Sequence, residues 1–119
     1  MRILVVDDDD AHGAYVSALL ARHGHIAELV NSGRAALGRL HIETFDALVM
    51  DVFMPEMDGI ELLRELKRQH PNLIVIGMTG SAAGFHDGLE RLMTTMGASC
   101  LLHKPLNPAD LVGALRNLT

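Results

Sequence analysis

The chain has a single cysteine and no excess of positive charge. The one thiol, Cys100, cannot close an internal disulfide, and a reducing cytoplasm is the expected compartment. Inside Ala98–Leu102 it reads as a small core residue. Lysine and arginine number 10 against 15 aspartates and glutamates, a formal net charge of −5. That balance argues against direct binding of nucleic acid or of an anionic membrane surface. No apolar run approaches the length needed to cross a bilayer. Residues 1–6 run directly into an apolar strand pattern and do not read as a signal peptide. Internal repeats and long linkers are also missing. What remains is 119 residues, 49% of them hydrophobic, which suits one globular domain with one good core. Residues 1–119 are read as that domain, with no output domain attached.

Strand and helix patterns alternate along the chain. Short runs rich in Val, Ile and Leu predict strands at 2–6, 26–30, 46–50, 73–78 and 98–102. They are apolar on both faces, as strands of a parallel sheet covered on each side must be. Helical periods lie between them. Ala11, Ala14, Tyr15, Ala18 and Leu19 form one stripe, and Ala36, Leu37 and Leu40 a second. Leu62, Leu63 and Leu66 form a third, and Phe85, Leu89, Leu92, Met93 and Met96 a fourth, closed by Gly97. Asn107-Pro108-x-Asp110 supplies a cap, a first-turn proline and an acid for the last helix, whose apolar face is Leu111, Leu115 and Leu118. The expected class is α/β, a doubly wound five-stranded parallel sheet.

Such sheets bind ligands beyond the carboxyl ends of their strands. The polar residues at those ends are Asp7 and Asp8, then Asp51, then Thr79, then Lys104. Two buried strands that each end in aspartate bring three carboxylates together. Bare, such a cluster repels itself, and a divalent cation or a basic side chain among them resolves the repulsion. Simpler readings exist for each residue. Asp7 and Asp8 could cap the first helix, although that leaves Asp51 unexplained. Thr79 could be a turn residue and Lys104 a surface lysine. Asp9 and Asp10 read as solvated first-turn acids. Asp58-Gly59 reads as a turn before the third helix. His12 reads as a helix-surface histidine, with contact to a metal as the alternative. His103 is expected to point away from the site by strand alternation.

Val5-Val6-Asp7-Asp8, Asp51-x-x-Met54-Pro55-x-Met57-Asp58-Gly59, Met78-Thr79-Gly80 and Lys104-Pro105 occur in this order at these strand ends. With them the sequence resembles the receiver domain of two-component response regulators over essentially its whole length. The resemblance implies a flavodoxin-like (βα)5 fold with strand order 2-1-3-4-5. It also implies transfer of a phosphoryl group from the phosphohistidine of a sensor histidine kinase, or of a histidine phosphotransfer protein, to Asp51. Mg²⁺ is the implied cofactor, held by Asp8 and Asp51, by Asp7 through a water, and by the backbone carbonyl of Phe53. Thr79, Gly80 and Lys104 are the implied phosphate-binding residues. Asp51 would be the nucleophile, and Lys104 and Thr79 would assist it. A cis Lys104–Pro105 bond is implied as well. The chain would catalyse its own phosphorylation and slow dephosphorylation without being a turnover enzyme. Its output would be a change in the face made by the fourth helix, fifth strand and fifth helix, read by an unknown downstream protein. A monomer or a weak homodimer is expected.

The sequence departs from the family pattern in several places. Leu101 stands three positions before Lys104, where an aromatic residue often pairs with the threonine in switching. Gly80 replaces a more usual alanine. The segment from Thr79 to Lys104, with Gly84 and Gly88, is a few residues longer than usual. Phe53 is bulky at a position that is often polar, and with Ser81 it is expected to control access of the hydrolytic water. Two other readings follow from these departures and from the acidic cluster. One is a receiver-like interaction module that works without phosphorylation. The other is a small metal-dependent phosphatase, for which a general acid two residues after Asp51 is missing.

Overall fold

A computed structural model describes residues 1–80 and 86–117. Five strands, β1 (Arg2–Val6), β2 (Ile26–Val30), β3 (Ala47–Asp51), β4 (Ile74–Thr79) and β5 (Cys100–His103), alternate with five helices. The helices are α1 (Asp10–Arg22), α2 (Gly33–Ile42), α3 (Gly59–Gln69), α4 (His86–Thr95) and α5 (Pro108–Asn117). All strand pairs are parallel, in the order β2-β1-β3-β4-β5. The predicted doubly wound sheet and strand order are therefore present.

Strand alternation divides the core in two. Leu4, Val6, Leu48, Met50 and Val75 face α2, α3 and α4, where Leu40, Leu62, Leu63, Leu66 and Met93 meet them. Ile3, Val5, Val49, Ile76 and Met78 face α1 and α5, where Val16, Leu20, Leu111 and Leu115 complete the other layer. Cys100 packs against this second layer, as a core residue should. Burial pushes its thiol above the usual range, and Glu90 adds to the effect.

Caps fix the helix starts beside the strand ends. The carboxylates of Asp9 and Asp58 accept the N–H groups of His12 and Glu61, at 3.2 and 2.9 Å. Asn107 Oδ1 accepts the Ala109 N–H at 2.8 Å. Asp58 is therefore a helix cap, and Asp9 is one as well as being exposed. Gly97, with φ at 113°, ends α4 in a conformation that favours glycine.

Two predicted stripes need correction. In α1 the buried residues are Gly13, Val16, Leu19 and Leu20, whereas Ala11, Ala14 and Ala18 are exposed. The helix is rotated so that Gly13 lies on β2: a Cβ there would stand 2.6 Å from Leu29 Cδ1. Tyr15, expected in the core, is 43% exposed and donates its hydroxyl proton to the Leu106 carbonyl at 3.0 Å. In α4, Met93 is buried but Leu92 is 45% exposed. Ser81, Gly84, Phe85 and Leu118 lie outside the described residues.

Candidate functional site

β1 and β3 are neighbours, with Val6 opposite Met50, so the residues that follow them emerge side by side. Asp7, Asp8 and Asp51 each offer a carboxylate oxygen within 4.8 Å of the others. Asp7 is fully buried, Asp51 is 6% exposed, and Asp8 is exposed. The trio is thus closed on the protein side and open toward solvent through Asp8. An all-oxygen donor set of this kind suits a hard divalent cation.

The loop after β5 brings in the basic partner. Lys104 lies just beyond the strand and is followed by a cis peptide bond to Pro105. Its backbone N–H donates to the Thr79 carbonyl at 2.7 Å, which fastens the ends of β4 and β5 together. Its Nζ stands 3.0 Å from Asp51 Oδ2 and 3.2 Å from Asp7 Oδ2. The other oxygen of Asp51 accepts the Phe53 N–H at 3.1 Å. Asp7 Oδ1 accepts the Asp9 N–H at 3.0 Å, and Asp7 Oδ2 lies 2.7 Å from His12 Nδ1.

These contacts give the two buried acids opposite tendencies. Burial pushes the Asp51 carboxyl above its ordinary value, and Lys104 and the Phe53 N–H only partly counter it. Burial acts on Asp7 in the same sense. There, His12, the Asp9 N–H and Lys104 together outweigh it, and Asp7 is held below the ordinary value. Burial also disfavours the Lys104 ammonium, but Asp51 and Asp7 more than restore it.

A pH dependence follows. A carboxyl raised by folding contributes stability in acid, and that contribution is lost as pH rises through its folded value. Ionised Asp51 thus works against the metal-free fold, while Asp7 contributes above its unfolded value and loses its contribution as pH falls through its folded one. Asp51→Asn should therefore melt at a higher temperature than the wild type at pH 7 in EDTA, with the gap closing in acid. Equal melting at pH 7 would contradict this sign.

The remaining expected residues are near the cluster in different states. Thr79 is buried, and its hydroxyl donates to the Gly80 carbonyl at 3.1 Å, not to Asp51 or Lys104. A Cβ on Gly80 would meet nothing within 4 Å, so the protein's own atoms leave room for a side chain there. Phe53 is 56% exposed. Leu101 is buried on the α4 side, and a Cβ on Gly77 would come within 2.8 Å of its Cδ1 and 3.1 Å of Met93 Cε. The loop between β3 and α3 is pinned by Gly59, whose N–H donates to the Val52 carbonyl at 2.7 Å.

His12 is where the sequence reading went wrong. Its side chain is 14% exposed and stands against Asp7, not on the helix surface. The available signal was the cap. With Asp9 at the N-cap, His12 is the third helical residue, whose side chain reaches back over the helix start.

A family model described as response regulator receiver domain matches residues 3–116. Among curated proteins, the chain is 42% identical over 113 residues to the transcriptional regulatory protein ZraR of Escherichia coli, covering 95% of this chain and 25% of that protein. It is 36% identical over 120 residues to the response regulator MprA of Mycobacterium avium, covering 99% of this chain and 50% of that one. The chain thus spans between a quarter and a half of these relatives. Among solved structures, Vibrio cholerae chemotaxis protein CheY4 superposes with a TM-score of 0.89 at 28% identity, covering 99% of this chain and 98% of that one. The receiver domain of the Francisella response regulator 1452 superposes with a TM-score of 0.88 at 26% identity, covering 98% and 94%. Strand order, the carboxylates at the sheet's carboxyl edge and these matches agree, and the chain belongs to the response regulator receiver domain family.

Proposed function

We propose that this receiver accepts a phosphoryl group on Asp51 from the phosphohistidine of a sensor histidine kinase or a histidine phosphotransfer protein. The observation that carries the reading is the placement of Lys104 Nζ, 3.0 Å from Asp51 Oδ2 and beside a cluster of three carboxylates. Asp51 is the nucleophile: one carboxylate oxygen forms the new P–O bond while the P–N bond to the partner's imidazole breaks, and the electron pair stays on the ring nitrogen. Lys104 then moves its ammonium from Asp51 to a phosphoryl oxygen, where it compensates the charge brought into a buried site. Thr79 turns its hydroxyl from the Gly80 carbonyl to another phosphoryl oxygen. The Gly80 backbone N–H donates to the phosphoryl group.

Asp8 and Asp51 would hold Mg²⁺ directly, Asp7 through a water, and the Phe53 carbonyl would complete the protein ligands. Bound there, the ion offsets the repulsion between carboxylate and phosphoryl group. The donor chemistry fits, since every side chain offered is a carboxylate. Phe53, exposed at the mouth, shields Asp51 from the hydrolytic water, and Phe53→Asn should change the phosphoryl lifetime.

Movement of Thr79 passes to the face of α4, β5 and α5, which a downstream protein reads. Leu101 already fills the space above Gly77, so the aromatic half of the usual switch is replaced by a fixed contact. The curated relatives extend well beyond the matched region, which is 25% of ZraR and 50% of MprA. Beryllofluoride, which mimics a phosphoryl group on a carboxylate, tests the reading. Fluorine NMR should show a bound signal in the wild type only with Mg²⁺, and none in Asp51→Asn. A signal that persists in the variant would overturn the assignment of Asp51.

A further inference from the structure

Asp7 is the most heavily engaged acid of the site. Its Oδ1 accepts the Asp9 N–H and faces Lys104 Nζ at 3.5 Å, and its Oδ2 faces Lys104 Nζ at 3.2 Å and His12 Nδ1 at 2.7 Å. With an ammonium and a backbone N–H already directed at it, this group acts as an acceptor. The ring atom at 2.7 Å is therefore the donor, and Nδ1 carries the hydrogen. His12 Nε2 is buried and has no hydrogen-bond partner among the described residues. Among the described residues, this buried imidazole with one nitrogen unpaired has its Asp7 contact alone to satisfy its polarity.

The helix that carries His12 also braces the other side of the site. Tyr15, one turn further along α1, donates to the Leu106 carbonyl at 3.0 Å, two residues beyond Lys104. The two rings lie 6.0 Å apart. One face of α1 thus touches both the acid that Lys104 shares and the segment that delivers Lys104.

We propose that His12 is a positioning residue of the phosphorylation site: its Nδ1–H fixes the orientation of Asp7 and takes up part of its accepting capacity, so that Lys104 stays on Asp51. Without that hydrogen bond, Asp7 Oδ2 is free to draw the ammonium away from Asp51 and to turn from the cation it serves. Outer hydrogen bonds to metal-site carboxylates commonly change affinity by about 10- to 100-fold. The inference rests on the reading of the cluster as a Mg²⁺-dependent acceptor site, and its test separates the two.

Calorimetric titration with Mg²⁺ is made on the wild type, His12→Leu, His12→Asn and Asp8→Asn. The asparagine amide can place an N–H where Nδ1–H stands; leucine cannot. His12→Leu should bind Mg²⁺ about 10-fold more weakly, and His12→Asn should recover most of the loss. Equal affinity in the wild type and His12→Leu, with Asp8→Asn weakened, overturns the role of His12 and leaves the acceptor site standing. No Mg²⁺ binding by the wild type overturns both. Should His12→Leu fail to fold, the wild type alone decides through long-range ¹H–¹⁵N correlation of the assigned His12 ring. A hydrogen on Nδ1 supports the proposal, and a bare Nδ1 overturns it.

Discussion

Replacing Gly59 by alanine should destabilise the domain by about 3 kcal/mol, near the upper end for overpacking, and lower its melting temperature by about 10 °C. A Cβ at this position would stand 2.6 Å from Val52 Cα, 2.9 Å from the Val52 carbonyl oxygen and 3.2 Å from that of Asp51. Each is a backbone atom, so no side chain can rotate out of the way. Relief requires α3 to draw back or the Asp51–Phe53 segment to shift, and the Gly59 N–H bond to Val52 is lost in either case. Because that segment carries Asp51 and the Phe53 carbonyl, Mg²⁺ affinity should fall together with stability. Gly38 is the control. It lies inside α2 with nothing within 4 Å of its Cβ position, and Gly38→Ala should gain up to about 1 kcal/mol from helix propensity. Thermal melts of the two variants check the contrast. Similar melting of both would show that the contact between α3 and β3 is not as tight as described.

The second large effect is expected for Lys104→Met in EDTA. Lys104 is the cation shared by Asp51 and Asp7, two carboxylates that are almost completely buried. Removing one partner from a buried ionic group leaves uncompensated charge and costs about 3 kcal/mol or more. The cost should lie near the lower end of a range of about 3 to 5 kcal/mol, because the cluster is open to water at Asp8. His12 and the Asp9 N–H still support Asp7, so the loss falls mainly on Asp51. A divalent cation can replace the missing charge, and a ligand at one hundred times its dissociation constant returns about 2.7 kcal/mol. Mg²⁺ should therefore raise the melting temperature of the variant more than that of the wild type. Unchanged melting in EDTA, or the same Mg²⁺ increment in both proteins, would contradict the shared-charge description. Phosphoryl transfer to the variant should remain slow even where Mg²⁺ restores its stability, because the proposed reaction also places the ammonium on the phosphoryl group.

The sheet was readable because each strand is a short apolar run that ends in a polar residue. Its ends moved by only a residue or two: Asp51 and Thr79 are the last residues of β3 and β4, not the first after them. The helical faces were less readable where alanine is abundant. In α1 the stripe of Ala11, Ala14 and Ala18 is as periodic as the stripe actually buried. What decides between them is the approach of Gly13 to Leu29, a contact between residues distant in sequence. In α4, Leu92 counted as apolar in the pattern, but it lies beyond the edge of the buried face.

The candidate site divides in the same way. The convergence of Asp7, Asp8, Asp51 and Lys104 follows from strand order, and strand order followed from recognising the four motifs together. The direction of the Thr79 hydroxyl and the fold of His12 onto Asp7 depend on rotamers and on where α1 begins. Neither quantity is written in residue spacing alone, although the Asp9 cap gave the position of His12 in the helix.

The most direct test of the central proposal is intact mass after incubation with acetyl phosphate, with and without Mg²⁺, on the wild type and on Asp51→Asn. One added phosphoryl group is expected in the wild type with Mg²⁺, and none without the ion or without the Asp51 carboxylate. An adduct of the same extent in Asp51→Asn would contradict the proposal. So would the absence of any adduct in a wild-type protein that binds Mg²⁺ but not beryllofluoride.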